Sequence, residues 1–578
     1  MTSIASRCRL AGLLLALLAG PRFAAAQPAI QAADALIDQY AAAGQFQGVA
    51  LVAQGDSILL EKGVGEANRD WGIPNGRETR FRVGSITKQF TAAIILQFVE
   101  DGRIVLNAPI RAYLPDYPLP QGNLVTIHHL LTHTSGIPNY TDNPDFVRIM
   151  RDPYAPDSFY QIFAGLPLEY EPGSRYSYSN SGYFLLGVLI EHVAGQPFER
   201  VLQTRLLNPL GLHDTGYDRY DTLNPHRATG YVRSFGQYVP APYIDTSIPF
   251  AAGMMYATAR DLHRWTRLLH AGAPFSSPST LDRMLTPALD DYAYGLAVGA
   301  VPVGSDSVRA IRHSGGIFGF STGLWYVPGD SLTIAVLDNA TGNANRLAAD
   351  LLQALYGQPV EPPRPLLADT LATTIEMRGV DAASALFNRL MRNPDDWDMD
   401  EQRMSVLARA YADRKEPKTA LKLFEFNTLA NPDSWRTWDD LGEAQLLAGD
   451  REHASQSYAR AYERNPRSMS VSLALEQLGI ALPVDSVRLS KEQLERYAGT
   501  YLIEGNADER MVLVLRDSRL KIDSGIDQDI ALYALTDTRF RSWFFDASMD
   551  FEIDDRGRPT RLGYTLRDRP TIWYRRIE

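Results

Sequence analysis

A serine and a lysine three residues apart could together form an activated nucleophile. The segment Ser85-Ile86-Thr87-Lys88 lies where a strand-like stretch gives way to apolar residues at helical spacing, so we expect a helix to begin there. Residues three apart on a helix share a face. A serine hydroxyl attacks well once a base takes its proton, and a lysine that is partly neutral can be that base.

The scarcity of lysine makes Lys88 informative. Of 57 basic residues seven are lysine, and between residues 27 and 360 only Lys62 and Lys88 occur. A desolvated lysine can lose its proton, whereas a guanidinium effectively cannot. A second Ser-x-x-Lys match, Ser518 to Lys521, falls on a predicted hairpin, where residues three apart point to opposite faces. We therefore reject it.

Two further polar segments could complete a site. Tyr178 and Asn180 lie two residues apart in a small polar loop before an apolar helix, so a phenol and an amide could share one face of a cleft. The segment His313-Ser314-Gly315-Gly316 follows a strand-like stretch, residues 308 to 311. Its glycines would let a substrate backbone lie close to an edge strand.

Each motif also has a purely structural interpretation. Ser85 could cap a helix whose first turn carries a solvated Lys88. Tyr178 and Asn180 could stabilise a turn. For His313, a hydrogen-bonded structural histidine and a substrate contact are evenly balanced alternatives.

Three other histidines could suggest a catalytic dyad or a metal site, and we assign neither role to them. His133 lies in a Thr-Ser-Gly loop and suggests a Ser-His dyad, but we interpret it as structural. His128 and His129 are adjacent, so their side chains point apart, and no carboxylate lies at ligand spacing. We assign no metal and no cofactor.

The order Ser-x-x-Lys, Tyr-x-Asn, His-x-Gly resembles the superfamily of serine β-lactamases, penicillin-binding proteins and D-aminopeptidases, in its class C and esterase branch, over roughly residues 30 to 356. Three stretches also resemble connecting segments of this family: residues 130–136, 209–212 and 251–261. The resemblance implies an α/β domain of the β-lactamase/transpeptidase type, in which helices flank an antiparallel sheet.

The resemblance also implies roles for the residues. Ser85 would be the acylated nucleophile, and Lys88 with Tyr178 the proton-shuttling pair, with a phenolate form of the tyrosine as one option. Asn180 would hold the substrate amide. The backbone N–H groups of Ser85 and Gly316 would form an oxyanion hole, and the substrate would also meet His313, Ser314 and Gly315.

Position 313 departs from the β-lactamases, many of which have a lysine there that helps to attract a substrate carboxylate. A largely neutral imidazole is a weaker anchor. We therefore expect D-amino-acid peptides, esters or amides to be better substrates than penicillins. The expected reaction is acylation of Ser85 followed by attack of water.

The chain is long enough for several domains. Residues 1–26 have the layout of a cleavable secretory signal, with Arg7 and Arg9 before an apolar run and with small residues at its end. We expect the hydrolase domain at 27–360 and a proline-rich linker at 361–369. Helical repeats should follow at 370–482 and a small antiparallel β domain at 488–578.

The repeat prediction comes from self-similarity at an offset of 34 residues, which aligns Met404 with Trp438 and Pro432 with Pro466. This is the period and pattern of tetratricopeptide helix pairs. The repeats could dock a protein partner or brace the hydrolase. The terminal β domain resembles the lipocalin-like modules that accompany this family, and it could cap the cleft.

Charge and cysteine content limit the partners. The formal net charge of −11 becomes −14 without Arg7, Arg9 and Arg22, which argues against nucleic acid. The one cysteine, Cys8, lies in the signal segment. We expect a periplasmic or secreted protein with a small-molecule or peptide substrate and no integral membrane segment after signal cleavage. Rival hypotheses are a catalytically silent peptidoglycan-peptide binder or sensor that uses the repeats, and acyl transfer to an amine.

Overall fold

The computed structural model describes residues 27–340, 342–466, 468–480, 489–504, 510–516, 519–523, 530–542, 547–566 and 571–577. The chain divides into two compact units after Pro365. The predicted signal segment and residues 517–518, at the turn of the hairpin predicted around Ser518, lie outside the described residues. Among the described residues, no helix is long and apolar enough to cross a membrane.

The described part of the first unit contains 13 strands. They are β1 (Gly48–Gln54), β2 (Ser57–Val64), β3 (Glu66–Asn68), β4 (Ile73–Pro74), β5 (Phe81–Arg82), β6 (Gly216–Tyr217), β7 (Tyr231–Ser234), β8 (Gln237–Pro240), β9 (Met255–Ala257), β10 (Ala297–Val303), β11 (Asp306–Ile317), β12 (Phe320–Val327) and β13 (Leu332–Asp338).

The same unit contains 14 α-helices among its described residues. They are α1 (Gln27–Ala42), α2 (Thr87–Glu100), α3 (Gln121–Leu124), α4 (Ile127–Leu131), α5 (Phe146–Ile149), α6 (Pro156–Phe159), α7 (Gln161–Ala164), α8 (Asn180–Ala194), α9 (Phe198–Leu202), α10 (Asn208–Leu210), α11 (Phe250–Gly253), α12 (Ala259–His270), α13 (Pro278–Met284) and α14 (Ala344–Leu355).

The main sheet of this unit is antiparallel and has the order β10-β11-β12-β13-β1-β2. Successive side chains on a strand point to opposite faces. Val49 and Leu51 of β1 therefore join one buried cluster with α2 and α8, whereas Ala50 and Val52 join another with α1 and α14. Helices thus cover both faces of the sheet, which is the arrangement expected for a domain of the β-lactamase/transpeptidase type.

A small sheet, β5-β9-β6, leads directly into the segment that carries Ser85. A buried ion pair fixes this sheet: Arg82 Nε lies 2.7 Å from Asp218 Oδ2, and Arg227 Nη1 lies 3.1 Å from Asp218 Oδ1. Asp218 is fully buried, and its backbone N–H donates to Met254 O. Asp218 therefore holds β5 in place three residues before Ser85.

In the second unit, the helices are α15 (Leu367–Arg378), α16 (Val380–Leu390), α17 (Glu401–Asp413), α18 (Pro417–Ala430), α19 (Trp435–Leu447), α20 (Arg451–Arg464), α21 (Met469–Gln477) and α22 (Lys491–Glu495). The pair α17 and α18 recurs as α19 and α20, with starts at 401 and 435 and at 417 and 451, an offset of 34. Helix α15 already begins inside the segment predicted as a linker, because apolar Leu367, Leu371 and Ile375 give it a face to bury.

The described part of the second unit ends in nine antiparallel strands, β14 (Gly499–Ile503), β15 (Arg510–Arg516), β16 (Arg519–Ile522), β17 (Ile530–Ala531), β18 (Tyr533–Ala534), β19 (Arg539–Ser542), β20 (Ala547–Ile553), β21 (Pro559–Leu566) and β22 (Ile572–Arg576). Their order is β17-β16-β15-β14-β22-β21-β20-β19-β18. The two edge strands are separated in sequence by Leu532 alone. The sheet must therefore curl nearly into a barrel, around buried residues such as Tyr501 and Phe540.

We predict that Asp218→Asn lowers the free energy of unfolding by about 3 kcal/mol, because two arginines then face a buried site without a counter-charge. Urea denaturation would measure the change. The matched control is Asp221→Asn, which breaks an exposed ion pair with Arg219 and should leave stability nearly unchanged. Equal urea midpoints for the two variants would contradict the prediction.

Candidate active site

Ser85 lies half-buried in a single 3₁₀ turn, Gly84–Ile86, between β5 and α2. Gly84 has a φ of +51°, a conformation that favours glycine. A Cβ on Gly84 would also lie only 2.6 Å from the backbone nitrogen of Gly316. The turn thus brings the serine hydroxyl against strand β11, and glycine is required for that approach.

Lys88 lies one turn further along, and its side chain is fully buried. Its Nζ lies 3.0 Å from Ser85 Oγ, 2.9 Å from Asn180 Oδ1 and 2.8 Å from the carbonyl oxygen of Ala252. The last two atoms can only accept hydrogen bonds. A neutral amine satisfies both with its two hydrogens and keeps its lone pair for the Ser85 hydroxyl.

Burial shifts the pKa values of the two candidate bases, Lys88 and Tyr178, in opposite directions. It lowers the pKa of Lys88 well below the usual value for lysine. Burial also raises the pKa of Tyr178, although a hydrogen bond with the Ser85 side chain pulls that pKa down in part. The free site therefore favours a neutral amine and a protonated phenol, and it disfavours the phenolate form of Tyr178.

Tyr178 and Asn180 reach the site from the loop before α8. The Tyr178 ring centroid lies 4.9 Å from Lys88 Nζ. Asn180 is the first residue of α8, and its backbone N–H donates to Asn139 Oδ1 at 3.0 Å. Its side-chain oxygen accepts from Lys88 Nζ at 2.9 Å. The structure thus brings together Ser85, Lys88, Tyr178 and Asn180.

The segment from His313 to Gly316 lies within β11, whereas the sequence pattern predicted that it follows a strand. The reason is pairing with the neighbouring strand β12. In that register Ser314 pairs with Gly323, Gly315 with Thr322 and Gly316 with Ser321. On its other side, β11 pairs with β10 only as far as Arg312.

The end of β11 is therefore an open edge, among the described strands, beside the proposed nucleophile. A Cβ on Gly315 would lie 1.9 Å from the carbonyl oxygen of Val83, so only glycine fits there. A Cβ on Gly316 would meet nothing within 4 Å. The strand thus packs against the turn of Ser85 at one glycine and leaves open space at the next.

His313 is held by the protein through both ring nitrogens. Nδ1 lies 2.6 Å from the carbonyl oxygen of Ser314, and Nε2 lies 2.9 Å from the hydroxyl of Tyr292. Because a carbonyl only accepts, Nδ1 carries the proton and Nε2 accepts from Tyr292. Burial lowers the pKa of His313 to about 4. The geometry favours a neutral, structural imidazole over a carboxylate anchor.

Two contributors to the site, Ala252 and Tyr292, were not predicted as site residues. Ala252 acts through its carbonyl oxygen, and every residue type offers one. Tyr292 is one tyrosine among 28 and comes from a loop distant in sequence. The segment of Ala252 is fixed to α2 because Thr91 Oγ1 donates to Ala251 O at 2.7 Å.

The two histidines of α4 have hydrogen-bond partners within the protein. His129 takes part in a capping box with Thr126 at the start of α4, and His128 Nδ1 lies 2.8 Å from Tyr294 Oη. In the described part of the chain, no three His, Cys, Asp or Glu side chains are grouped to hold a metal ion. Lys521 lies on β16, and its motif partner Ser518 is outside the described residues.

Comparison with known proteins defines the class. Residues 33–358 match the β-lactamase family, and the chain therefore belongs to that family. It is 31% identical over 258 residues to the putative penicillin-binding protein PbpX of Bacillus subtilis, an alignment that covers 44% of this chain and 63% of the relative. It is 34% identical over 203 residues to esterase EstB of Burkholderia gladioli, an alignment that covers 32% of this chain and 50% of the relative.

A solved structure agrees. The crystal structure of a penicillin-binding protein from Bacillus halodurans aligns with 56% of this chain and 98% of its own, at 29% identity and a TM-score of 0.50. Such relatives support a serine hydrolase of the β-lactamase family.

We predict that kcat/KM for an ester rises with pH through the lowered pKa of Lys88 and then levels off, because the reaction needs the neutral amine. Lys88→Arg should lower kcat/KM by about three orders of magnitude at pH values where the wild type has the neutral amine, since a guanidinium keeps its charge. A pH–rate profile of both proteins would measure this.

Lys62→Arg is the matched control, because Lys62 forms ion pairs with Asp34 and Asp38 at the protein surface. It should retain the wild-type profile. Wild-type turnover in Lys88→Arg would contradict the assignment of residue 88 as the base.

Proposed function

We propose that this chain is an exported serine hydrolase that forms an acyl-enzyme at Ser85 with ester or amide substrates. The observation that carries the proposal is the contact between Lys88 Nζ and Ser85 Oγ at 3.0 Å, made by a buried amine whose pKa is lowered. The signal-like residues 1–26 support export to the periplasm or beyond.

In the acylation step, Lys88 takes the proton of the Ser85 hydroxyl while Oγ forms a bond to the substrate carbonyl carbon. The backbone N–H groups of Ser85 and Gly316 stabilise the oxygen that becomes negative, a contribution of about 3 kcal/mol for each donor. The bond to the leaving group then breaks, and the leaving nitrogen or oxygen receives a proton from Lys88 or through the phenol of Tyr178.

In the second step, water loses a proton to Lys88 and attacks the acyl carbon, and the proton returns to Ser85 Oγ as the acid leaves. Asn180 orients the acyl amide of the substrate through its side-chain nitrogen. Amine acceptors in place of water would give the acyl-transfer variant of the same chemistry.

The wall formed by β11 supports the proposed substrate class. Because His313 is neutral and its nitrogens are occupied, that wall offers no charged side chain to a carboxylate at this position. Uncharged esters and amides, including those of D-amino acids, suit such a wall better than penicillins do. The names of the relatives, penicillin-binding protein and esterase, are compatible with both bond types.

The domain assignment belongs to the same proposal. The hydrolase occupies residues 27–360, and the paired helices of the second unit are proposed to be tetratricopeptide-like repeats that offer a surface to a protein partner. Their offset of 34 residues supports that assignment.

Labelling with an activated phosphonate tests the nucleophile. We expect intact-protein mass spectrometry to find one adduct on the wild type and none on Ser85→Ala. Ser279→Ala, which replaces an exposed serine on α13, is the control and should label like the wild type. An adduct that persists in Ser85→Ala would refute the proposal.

A penicillin is the second reagent. We expect it to acylate Ser85 about tenfold more slowly than an uncharged aryl ester does, because the carboxylate of the penicillin lacks a cationic partner at position 313. Equal acylation rates would overturn the proposed substrate class and leave the nucleophile assignment intact.

A further inference from the structure

His133 ends helix α4 in an unusual way. It follows the C-cap Thr132 and has a φ of +56°, the left-handed conformation in which helices commonly end on glycine. The backbone N–H of Thr134 donates to His129 O at 3.0 Å, as expected for such an ending. A side chain at this position is strained, and non-glycine residues held in this conformation cluster at functional sites.

The side chain and the backbone of His133 together hold the loop that carries Tyr178. The backbone N–H of Ser177 donates to His133 O at 2.9 Å, and that of Ser179 donates to His133 Nδ1 at 3.1 Å. The imidazole and the Tyr178 ring lie 4.3 Å apart between centroids. The residue between the two bonded amides is Tyr178 itself.

The start of α8 depends on the position of Ser179. Ser179 is the N-cap residue of α8, yet its own side chain caps no helical N–H and donates instead to Ile137 O at 3.4 Å. The position of Ser179 decides where Asn180 begins the helix. Through its hydrogen bond with Ser179, Nδ1 of His133 therefore fixes the two neighbouring residues, Tyr178 and Asn180.

We propose that His133 is a positioning residue that fixes Tyr178 and Asn180 relative to Lys88 and Ser85, and that it is retained in place of glycine for its ring acceptor. The inference rests on the proposed function. It differs from a Ser-His dyad, since Nδ1 is occupied by an amide N–H.

The ring takes no part in proton transfer. Burial holds the pKa of His133 well below the usual value. Within the described residues, Nε2 has no hydrogen-bond partner. The Nδ1 acceptor is the part of the ring that the loop uses, so a smaller side chain with an acceptor at that place should suffice.

Two substitutions both permit the positive φ at residue 133 but differ in whether they keep the hydrogen-bond acceptor. His133→Asn keeps an oxygen at the position of Nδ1, and asparagine tolerates positive φ. His133→Gly removes the acceptor and the strain together. We expect kcat to fall about 30-fold or more in His133→Gly with a smaller change in KM, and to stay within about fivefold of the wild type in His133→Asn, because small displacements of reacting groups are costly to rate.

The control is His226→Gly, which replaces an exposed histidine with a φ of +60° outside the segments that carry Ser85, Lys88, Tyr178 and Asn180, and it should leave kcat unchanged. Hydrogen exchange supplies a readout that does not depend on turnover: the Ser179 amide should lose protection in His133→Gly and keep it in His133→Asn. Thermal unfolding of each variant shows whether the protein is folded at the assay temperature.

The outcomes distinguish two kinds of failure. The proposal is overturned if kcat of His133→Gly stays within about threefold of the wild type, or if kcat of His133→Asn falls as far as that of His133→Gly. If the wild type has no turnover that depends on Ser85, the proposed function fails. Exchange at Ser179 then still decides the positioning role, because unchanged protection in His133→Gly would overturn it.

Discussion

The chemistry of this site depends on the burial of one amine. Moving an ammonium out of water costs several kcal/mol unless a counter-charge compensates for it. The contacts of Lys88 Nζ are with neutral oxygens of Ser85, Asn180 and Ala252, so losing the proton is the more favourable outcome. The lowered pKa of this lysine is thus a property of the packing of α2, α8 and α11.

Packing at that density requires the elements to approach closely, and two glycines permit it. Any side chain at Gly84 or Gly315 would collide with backbone atoms of the facing segment. The six-stranded sheet supplies the open end of β11 on one side of the turn, and the buried pair of Arg82 and Asp218 holds the other side. The proposed nucleophile therefore lies between two supports and not on a free loop.

The sequence predicted the members of the site that have a distinctive residue type at a fixed spacing. Ser85 and Lys88 share a helical face, and Tyr178 and Asn180 share a loop, so short-range geometry was enough to propose them. The contact of Ala252 could not be predicted, because it joins segments far apart in the chain. His313 was left balanced between two roles, and only the partners of its two nitrogens favour the structural one.

The fold was predictable to a similar extent and for a similar reason. Apolar periodicity predicted a helix at Ser85-Lys88, where α2 begins at Thr87, and a helix after the Tyr178 loop, where α8 begins at Asn180. It ended β11 too early. Gly315 and Gly316 give no apolar signal, yet pairing with β12 keeps them in the strand. Long-range pairing overrides a weak local pattern there.

The two lysines of the hydrolase domain have opposite environments. Lys62 lies between two surface carboxylates, where an arginine would also serve, so persistence of lysine alone does not identify a base. Lys88 differs in having no carboxylate among its described hydrogen-bond partners and no exposure to water. An arginine there would bring a permanent charge and a larger head group into a space sized for an amine. The charge and the size of an arginine head group, and not the low lysine content of the chain, explain why residue 88 is lysine.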